Sequence, residues 1–519
     1  MKDGDAEQKG MSRRSLLKGA AAVGALASVA GAALNLAAPG TAEAATKKLP
    51  QKWDETWDVV VIGSGFAGLA AAAEAAGNGA KTVILEKMPI YGGNSIINGG
   101  GYAAWDDKMH LRQKKNLGED SIKQHIQDTL KGGDFFNMPD LVEVMAKEAP
   151  DALNWMIDEG GAQVGDVLVI GGGHTAYRAH FSAHNSGKDY TEALKKIAEK
   201  RGAKMALNSQ VTWIWRKDAD PKSPVLGVEV KRGSKVVNVR AKKALVLASG
   251  GFSWDVQMRM EHWPKLVKEF NCTNQKGATG EIIRYSKAVG ADTLHMNFIQ
   301  LFPFAEPEAG TLDRPAVYGF SGPGVGVIYV SKAGKRFVNE LDRRDVCAFA
   351  QIALGPNMKP AYTIFNDAIP PKFGGKPAEV EAGIKKGRFI KGDTIADLAK
   401  KIGAPADVLE KTIKDHNKYI ADGKDPEFNK PMKKTMVPMD KGPYYALPMW
   451  PAVHHTMGGL RINANSQVID VFGAPIPHLY AAGEVAGGVH GSNRLGCNAT
   501  TECVVFGRIA GKNGAKEKG

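Results

Sequence analysis

A strand–loop–helix–strand unit near residue 60 constrains the fold more than any other feature of this 519-residue chain. Residues 58–62 form a continuous apolar run with β-branched side chains, which is typical of a buried parallel strand. Three closely spaced glycines follow within residues 63–68, and an alanine-rich stretch at 69–76 predicts a helix. Residues 81–86 predict a second strand that ends in a glutamate. This order indicates a βαβ unit that binds an adenine dinucleotide.

Each glycine of the loop has its own physical task. Gly63 permits a tight turn, Gly65 lets the backbone approach a pyrophosphate, and Gly68 lets the helix pack closely on the strand. The unpaired N–H groups at the start of the helix then face the phosphates. Glu86 can accept hydrogen bonds from ribose hydroxyls, and the less favoured alternative is a solvated acid at the end of a strand.

The remaining strand signals predict an α/β protein assembled from separated pieces of chain. Further buried strands are predicted at 244–248 and 478–483, each running into a glycine turn. We therefore expect a Rossmann-like dinucleotide-binding domain built from residues 50–296 and 448–519. Between them, residues 297–447 are rich in Pro and Lys and mixed in pattern, and they predict an inserted α+β capping domain.

The first residues carry a predicted export signal. Paired arginines within residues 12–18 precede an Ala- and Gly-rich apolar stretch at 19–38, and residues 42–44 offer a small-x-small cleavage site. This pattern predicts a twin-arginine signal peptide at 1–44 and a periplasmic protein. The alternative is a transmembrane anchor, which the interrupting glycines and Pro39 disfavour, and no permanent membrane anchor is expected.

Composition narrows the choice of cofactors and partners. The four cysteines form no Cys-x-x-Cys pair, so neither covalent haem, nor an iron–sulfur cluster, nor another metal site is predicted. The formal net charge is +13, but an exported chain without a concentrated basic tract is not expected to bind nucleic acid. The charge indicates either an ordinary lysine-rich surface or docking to an acidic electron-transfer partner.

Five glycine-rich or polar segments carry a resemblance to a known family. The chain resembles the fumarate reductase/succinate dehydrogenase flavoproteins, and most closely the soluble flavocytochrome c branch, without the haem domain. The resemblance covers essentially all of the mature chain and implies FAD bound in a GR2-type Rossmann-like domain. The segments that carry it are 63–68, 92–95, 334–340, 454–459 and 483–498.

The resemblance implies a set of FAD contacts and a noncovalent cofactor. Membrane-complex members of the family attach flavin through a histidine, and residues 91–95 here contain none. The implied contacts are Gly63, Gly65, Phe66, Ala67, Gly68, Glu86, Lys87, Gly92, Gly93, Asn94, Ser95, Asn98, Gly99, Gly100, Val211, Ser249, Gly250, His455, Gly483, Glu484, Arg494, Asn498 and Ala499.

The chemistry that the resemblance implies is reduction of a carbon–carbon double bond conjugated to a carboxylate. Hydride passes from flavin N5 to the β-carbon, and a proton reaches the α-carbon. Arg494 and His454 would hold the carboxylate, and Arg344 falls where the family places its arginine proton donor. A guanidinium normally stays protonated, so its proton must be replaced as it leaves. Taken singly, these residues could also be a surface arginine or a core histidine.

Two segments depart from the family pattern and predict the substrate. The family holds a second carboxylate with a histidine, a Thr-Glu pair and an arginine, whereas here segments 300–304 and 319–324 carry Phe302 and Phe320. A second carboxylate against these rings would lie unpaired, at a cost of roughly several kcal/mol. We therefore expect a monocarboxylate such as acrylate, methacrylate or an arylacrylate, in a pocket that also includes Tyr318.

Other elements of the mechanism stay open at this stage. The family's proton relay to the donor arginine is missing, and Tyr318, Asp342 and Asp345 are candidate replacements. Without a haem motif, electrons must come from an external donor, and we expect a periplasmic c-type cytochrome. The alternatives are a fumarate or urocanate reductase, a ketosteroid-type dehydrogenase or reductase, and an electron carrier that reduces no alkene.

Overall fold

A mixed β-sheet with a parallel centre positions the loops that the sequence pattern singles out. In the computed structural model, which describes residues 47–218, 220–266 and 270–519, this sheet has the path β17-β18-β9-β1-β2-β6, and β8 joins β9 with β7 beyond it. The predicted signal peptide lies outside the described residues. The strands are, in chain order, β1 (Glu55–Ile62), β2 (Thr82–Leu85), β3 (Gly101–Ala103), β4 (Val164–Val169), β5 (Ala179–Ser182), β6 (Lys204–Ala206), β7 (Gln210–Arg216), β8 (Val225–Arg232), β9 (Lys235–Leu247), β10 (Thr293–Leu294), β11 (Ile299–Ala305), β12 (Ile328–Val330), β13 (Ala361–Asn366), β14 (Ile390–Gly392), β15 (Tyr444–Thr456), β16 (Gly459–Leu460), β17 (Gln467–Ile469) and β18 (Pro475–Ala481).

Helices cover the sheet and connect its strands. The α-helices are α1 (Phe66–Gly77), α2 (Gly93–Ile97), α3 (Leu111–Lys114), α4 (Ile122–Gly132), α5 (Pro139–Gly160), α6 (Gly187–Lys200), α7 (Val256–His262), α8 (Glu281–Ala288), α9 (Val317–Ser321), α10 (Arg344–Ala353), α11 (Pro377–Lys385), α12 (Ile395–Ile402), α13 (Ala406–Asp422) and α14 (Asn498–Lys516). Short 3₁₀ turns occupy Arg314–Ala316, Gly322–Val325, Pro356–Met358 and Pro370–Phe373. Among the described residues, no helix is both long and apolar enough to cross a bilayer.

The parallel strands end in register at one edge of the sheet. Ile62 of β1 lies opposite Leu85 of β2 and Leu247 of β9, and Ala481 of β18 also lies opposite Leu247. The four loops that follow therefore emerge side by side, as ligand-binding loops do in open α/β sheets. The α/β fold predicted from the sequence is confirmed.

Close packing of two helices joins the two ends of the described chain. A side chain at Gly507 would place its Cβ 2.5 Å from the Ala67 oxygen, and one at Gly511 would lie 2.1 Å from the Ala71 oxygen. These glycines, one helical turn apart on α14, let its backbone lie directly against α1. Helix α1, which follows the start of the glycine loop, and helix α14 thus form one layer.

A second, antiparallel sheet has its own hydrophobic core. Its path is β11-β15-β13-β12, with β14 paired to β15. The core beneath it draws on residues 302–452 and includes Tyr318, Phe365 and Phe389. Residues 49–519 form one compact unit, and β15 runs across the predicted boundary between 447 and 448. The division into a dinucleotide domain and a capping domain therefore stays a prediction.

Candidate active site

A cavity of about 110 Å³ lies at the edge where the parallel strands end. Its walls come from the ends of β1, β2, β9 and β18 and from the loops after them. Glu86, Ser249, Gly250 and Gly483 are among the residues that line it. This is the position that the strand signals predicted for a dinucleotide.

The glycines of the loop after β1 are sterically required. Gly63 has φ of +99°, and a Cβ there would lie 2.3 Å from the Ala248 oxygen. At Gly68 a Cβ would lie 1.9 Å from the Gly63 oxygen, so this residue serves helix packing. The loop leads into α1, whose N-cap residue Gly65 provides no side-chain cap, while the Phe66 N–H donates to the Ser95 hydroxyl at 2.9 Å. The N-terminus of α1 and bare glycine backbone therefore face the cavity, as a pyrophosphate requires.

Glu86 organises the loop as well as facing the cavity. Its Oε2 accepts hydrogen bonds from the Ser64 N–H at 3.0 Å and the Ser64 hydroxyl at 2.6 Å. Its Oε1 accepts from the Met88 N–H at 2.9 Å. A carboxylate oxygen accepts more than one hydrogen bond, so Glu86 keeps capacity for ribose hydroxyls. Its neighbour Lys87 is instead paired with Glu281 at 2.5 Å.

A second cavity, of about 430 Å³, adjoins the first. Both are lined by Phe66, Asn94, Ser95, Glu484 and Cys503, so they share a wall. The larger cavity is also lined by the three predicted catalytic side chains, Arg344, His454 and Arg494. It therefore brings together residues from α10, β15 and the loop before α14.

The two arginines converge on one acceptor. The Arg494 Nη2 donates to the Gln300 Oε1 at 2.8 Å, and the Arg344 Nη1 donates to the same oxygen at 3.4 Å. The Gln300 Nε2 donates to Asn493 Oδ1 at 2.7 Å and to the Arg494 carbonyl at 2.8 Å. These two bonds fix the orientation of the Gln300 amide, so that its oxygen faces the guanidinium groups.

In the described residues, no carboxylate lies within ion-pair distance of these two guanidinium groups, although Glu484 lines the same cavity and acts on Arg494 through space. In the described part of the chain, neither Arg344 nor Arg494 forms an ion pair, and the buried Arg494 Nε has no hydrogen-bond partner. Burial lowers the pKa of Arg494 to about 10. Two buried guanidinium groups without an ion-paired acid among the described residues form a site for an anionic ligand.

Arg344 sits between aromatic rings. Its guanidinium carbon lies 5.4 Å from the centre of the Phe302 ring and 5.1 Å from that of Phe320, which is cation–π geometry. Burial and the nearby Arg494 charge lower the pKa of Arg344 to about 9. The adjacent Arg343 differs, since its ion pairs with Asp345 and Asp134 raise its pKa.

The two consecutive histidines of β15 have different partners. The His454 Nδ1 lies 2.7 Å from the Thr273 hydroxyl, and the His455 Nδ1 lies 3.7 Å from Glu484 Oε1. Burial, reinforced by the Arg494 charge, holds the pKa of both imidazoles well below the usual value. His454 is therefore neutral. When the Thr273 hydroxyl donates to Nδ1, the His454 Nε2 carries the proton and can donate it to a ligand in the cavity.

Most residues predicted for the site line one or both cavities. They are Gly63, Gly65, Phe66, Ala67, Glu86, Lys87, Gly93, Asn94, Ser95, Asn98, Gly99, Val211, Ser249, Gly250, Phe302, Phe320, Arg344, His454, His455, Gly483, Glu484, Arg494 and Ala499.

Five predicted residues lie behind the cavity walls. Gly68 packs on Gly63, as described above. The other four have different neighbours. Gly92 packs against Ile96, and Gly100 packs against Ser182 and Ser186. Asn498 is hydrogen-bonded to His125 and Thr129, and the Tyr318 ring packs on Phe365 and Phe389. The pocket role of Tyr318 stays a prediction. In the single-turn helix α9 its ring packs into the core, while Phe320 faces the cavity.

The predicted replacements for a proton relay do not touch Arg344 in the described residues. Asp345 is bound to Arg343, and an Asp342 oxygen accepts the Arg343 N–H at 2.7 Å. Sequence reasoning also missed Gln300, Thr273 and Cys497. Gln300 stands beside the departure at Phe302, but its partners are distant in the chain, so no local pattern signals its role.

The site residues fit FAD. The smaller cavity provides the glycine cradle for a pyrophosphate and the ribose acceptor Glu86, and the larger cavity continues from it through shared walls. The residues that would hold a long dinucleotide therefore line both cavities.

Comparison with known proteins gives a consistent result. A family model described as "FAD binding domain" matches residues 58–500. A urocanate reductase of Eggerthella lenta is 36% identical over 478 residues, covering 91% of this chain and 77% of that protein. The acrylate reductase flavoprotein subunit of Shewanella woodyi is 35% identical over 517 residues, covering 97% and 98%. The open conformation of a flavocytochrome c3 fumarate reductase superposes with a TM-score of 0.73 at 33% identity, covering 99% of this chain and 83% of that one. The chain therefore belongs to the FAD-binding family of flavoprotein reductases that includes these relatives, and FAD is its cofactor.

Proposed function

We propose that this protein reduces the carbon–carbon double bond of a 2-enoate, and that its substrate is a monocarboxylate with an apolar substituent. The observation that carries the proposal is the buried pair Arg344 and Arg494, which line one cavity without forming an ion pair to any carboxylate of the described residues. When bound, FAD supplies the hydride. The protein side chains bind the carboxylate, polarise the alkene and deliver the proton.

Arg494 is the carboxylate clamp in this proposal. Its Nη1 donates to the Leu495 carbonyl at 3.2 Å and its Nη2 to Gln300. Nε and the second Nη2 proton stay available, and together they form the fork that pairs with a carboxylate. Neutral His454 donates a further hydrogen bond to the same group, which stabilises the charge that develops as the alkene is reduced.

Arg344 is the proton donor in this proposal. Its lowered pKa of about 9 still leaves it protonated at neutral pH, and the proton leaves more easily than from an ordinary guanidinium. The aromatic rings of Phe302 and Phe320 hold its plane, and Gln300 accepts one of its protons. Each of these contacts favours a fixed direction for proton delivery.

The same two phenylalanines support a monocarboxylate. They stack on Arg344 and provide no hydrogen-bond donor for a second carboxylate. An acid that could recognise the imidazole of urocanate does line the cavity, namely Asp313, but Arg388 binds it through both oxygens. These contacts favour acrylate, methacrylate or an arylacrylate over fumarate and urocanate.

The test is anaerobic oxidation of reduced viologen by the holoenzyme with a panel of enoates. We expect turnover with acrylate, methacrylate or cinnamate and much less with urocanate and fumarate. A clear preference for fumarate would show that the interpretation of Phe302 and Phe320 is wrong. Absence of alkene reduction across the panel would identify an electron carrier instead.

The Arg494 clamp distinguishes an enoate reductase from a ketosteroid-type enzyme. Arg494→Lys keeps the charge but loses the fork, so it should strongly impair an enoate reductase and leave a steroid enzyme largely active. Loss of enoate turnover in this variant, with normal flavin content, supports the clamp. Unchanged turnover contradicts it.

Three further elements belong to the same proposal. FAD is bound noncovalently, the enzyme works in the periplasm after twin-arginine export, and a separate c-type cytochrome supplies electrons. Acid precipitation should release all flavin into the supernatant. Flavin retained on the pellet after acid precipitation would disprove noncovalent binding. In a separate test, export should fail when Arg13 and Arg14 are both changed to Lys.

A further inference from the structure

The free cysteine Cys497 lines the larger cavity immediately before helix α14. Its backbone is left-handed, with φ of +69°. This conformation favours glycine and is strained for a residue that carries a side chain. The Cys497 thiol therefore lies in the cavity wall at a position where the backbone conformation would favour glycine.

Gly101 leaves the space that this thiol occupies. Gly101 lies in strand β3 without the left-handed φ that would require glycine, yet a Cβ there would lie 2.4 Å from the Cys497 Sγ. Glycine weakens a strand, so its presence here needs a packing reason. Cys497 thus has a backbone conformation that favours glycine, and Gly101 is a glycine in a strand. Together these two residues leave room for the Cys497 sulfur.

The charges around Cys497 come from the two catalytic arginines. Burial raises the pKa of its thiol to about 11, while Arg344 and Arg494 both act to lower it. Arg494 is 5% exposed, lines the same cavity, and has a buried Nε without a hydrogen-bond partner among the described residues. That open donor points independently to an anionic ligand beside Cys497.

A second thiol in the same cavity, Cys503, has more acidic surroundings than Cys497. The Cys503 Sγ donates to Glu502 Oε2 at 3.6 Å, and both Glu502 and Glu484 raise its pKa in addition to burial. Cys503 therefore lies beside two acidic residues as well as within reach of Arg494, whereas both arginines act on Cys497. An anionic reagent in this cavity is attracted more strongly to Cys497 than to Cys503.

We propose that Cys497 is a covalent modification site for electrophiles that carry a carboxylate, including 2-enoates that enter the oxidised enzyme. With an enoate, a C–S bond forms at the β-carbon as the π bond breaks, and the α-carbon takes up the proton that the thiol loses. No oxidant or reductant is consumed. The inference rests on the carboxylate binding of the proposed function and does not require reduction of the alkene.

The test compares iodoacetate with iodoacetamide on the oxidised holoenzyme in the absence of an electron donor. In either reaction a C–S bond forms, iodide leaves and the thiol proton passes to solvent. Peptide mass spectrometry reports the labelling rates of Cys497 and Cys503. We expect the iodoacetate-to-iodoacetamide rate ratio to be about tenfold or more higher at Cys497, as attraction by two guanidinium groups implies.

Variants and a competitor distinguish electrostatic attraction of the reagent to Cys497 from mere accessibility of the thiol. Propanoate, a saturated carboxylate, should protect Cys497, and Arg494→Gln should bring its rate ratio close to that of Cys503. Acrylate without a donor should add a mass of one acrylate to the peptide containing Cys497, and Cys497→Ser should abolish that adduct. Equal rate ratios at the two cysteines, or no labelling of Cys497, overturn the proposal even if the viologen assay succeeds. Steered labelling without viologen turnover would leave this site standing and reject enoate reduction instead.

Discussion

The lowered pKa of Arg344 predicts how the activity depends on pH. If Arg344 delivers the proton, it must be protonated in the reacting enzyme, so turnover is full below its pKa and falls as pH rises through it. The pKa of about 9 places the descending limb near pH 9, with the slope of a single proton. Arg344→Gln removes the proton and should lower kcat by about 10² to 10⁴.

Arg344→Lys gives the sharper test. The ordinary pKa of lysine lies about two units below that of arginine. The same burial and the same Arg494 charge act on the new ammonium group, so its descending limb should move to about pH 7. Residual activity at low pH with this displaced limb would identify residue 344 as the titrating group.

The assay is kcat against pH with reduced viologen and a saturating enoate. Arg343→Lys is the matched control, because Arg343 is adjacent in sequence but is held by Asp345 and Asp134. Its limb should coincide with that of the wild type. The reasoning is refuted if Arg344→Lys also keeps the wild-type limb, or if Arg344→Gln keeps most of its kcat.

Three other predictions concern cofactor retention and stability. Gly68→Ala should lower the flavin-to-protein absorbance ratio, because its Cβ would overlap backbone; Gly324→Ala, with open space around it, should not. Arg336→Met leaves two buried carboxylates short of a partner and should lower the free energy of unfolding in urea by about 3–5 kcal/mol, against at most about 1 kcal/mol for the exposed Arg314→Met. Burial raises the pKa of Glu502 to about 8, so the folded state binds an extra proton; its stabilising effect is complete below about pH 4.5 and is lost as pH rises through 8. Glu502→Gln should therefore flatten the decline of Tm between pH 5 and 8, and an unchanged slope would contradict the assignment.

The parts of the site that could be predicted are those coded by local pattern. The glycine loop and its flanking strands obey steric rules that act over a few residues, and residues 58–68 and 81–86 display them fully. Gln300 could not be predicted in the same way, since it contacts Arg344 and Arg494 across 44 and 194 residues. Its role depends on how β11, α10 and the loop before α14 meet in space.

Tyr318 shows why neighbouring positions can differ. It lies two residues from Phe320, and both were expected in the pocket. Residues two apart in a helical turn face different directions. In α9 this difference sends Tyr318 against Phe365 while Phe320 reaches Arg344. The different directions of Tyr318 and Phe320 could be predicted only by recognising residues 317–321 as helical. A five-residue segment is too short to show a periodic sequence signal.

The packing of α14 on α1 has a consequence for biosynthesis. The nucleotide loop emerges early from the ribosome, but β18 and the glycine face that seats against α1 emerge several hundred residues later. A nascent polypeptide therefore cannot enclose its prosthetic group until translation has passed Gly511. Flavin acquisition therefore follows synthesis of α14, and a pool of newly made, cofactor-free molecules should exist whenever flavin supply lags behind protein synthesis.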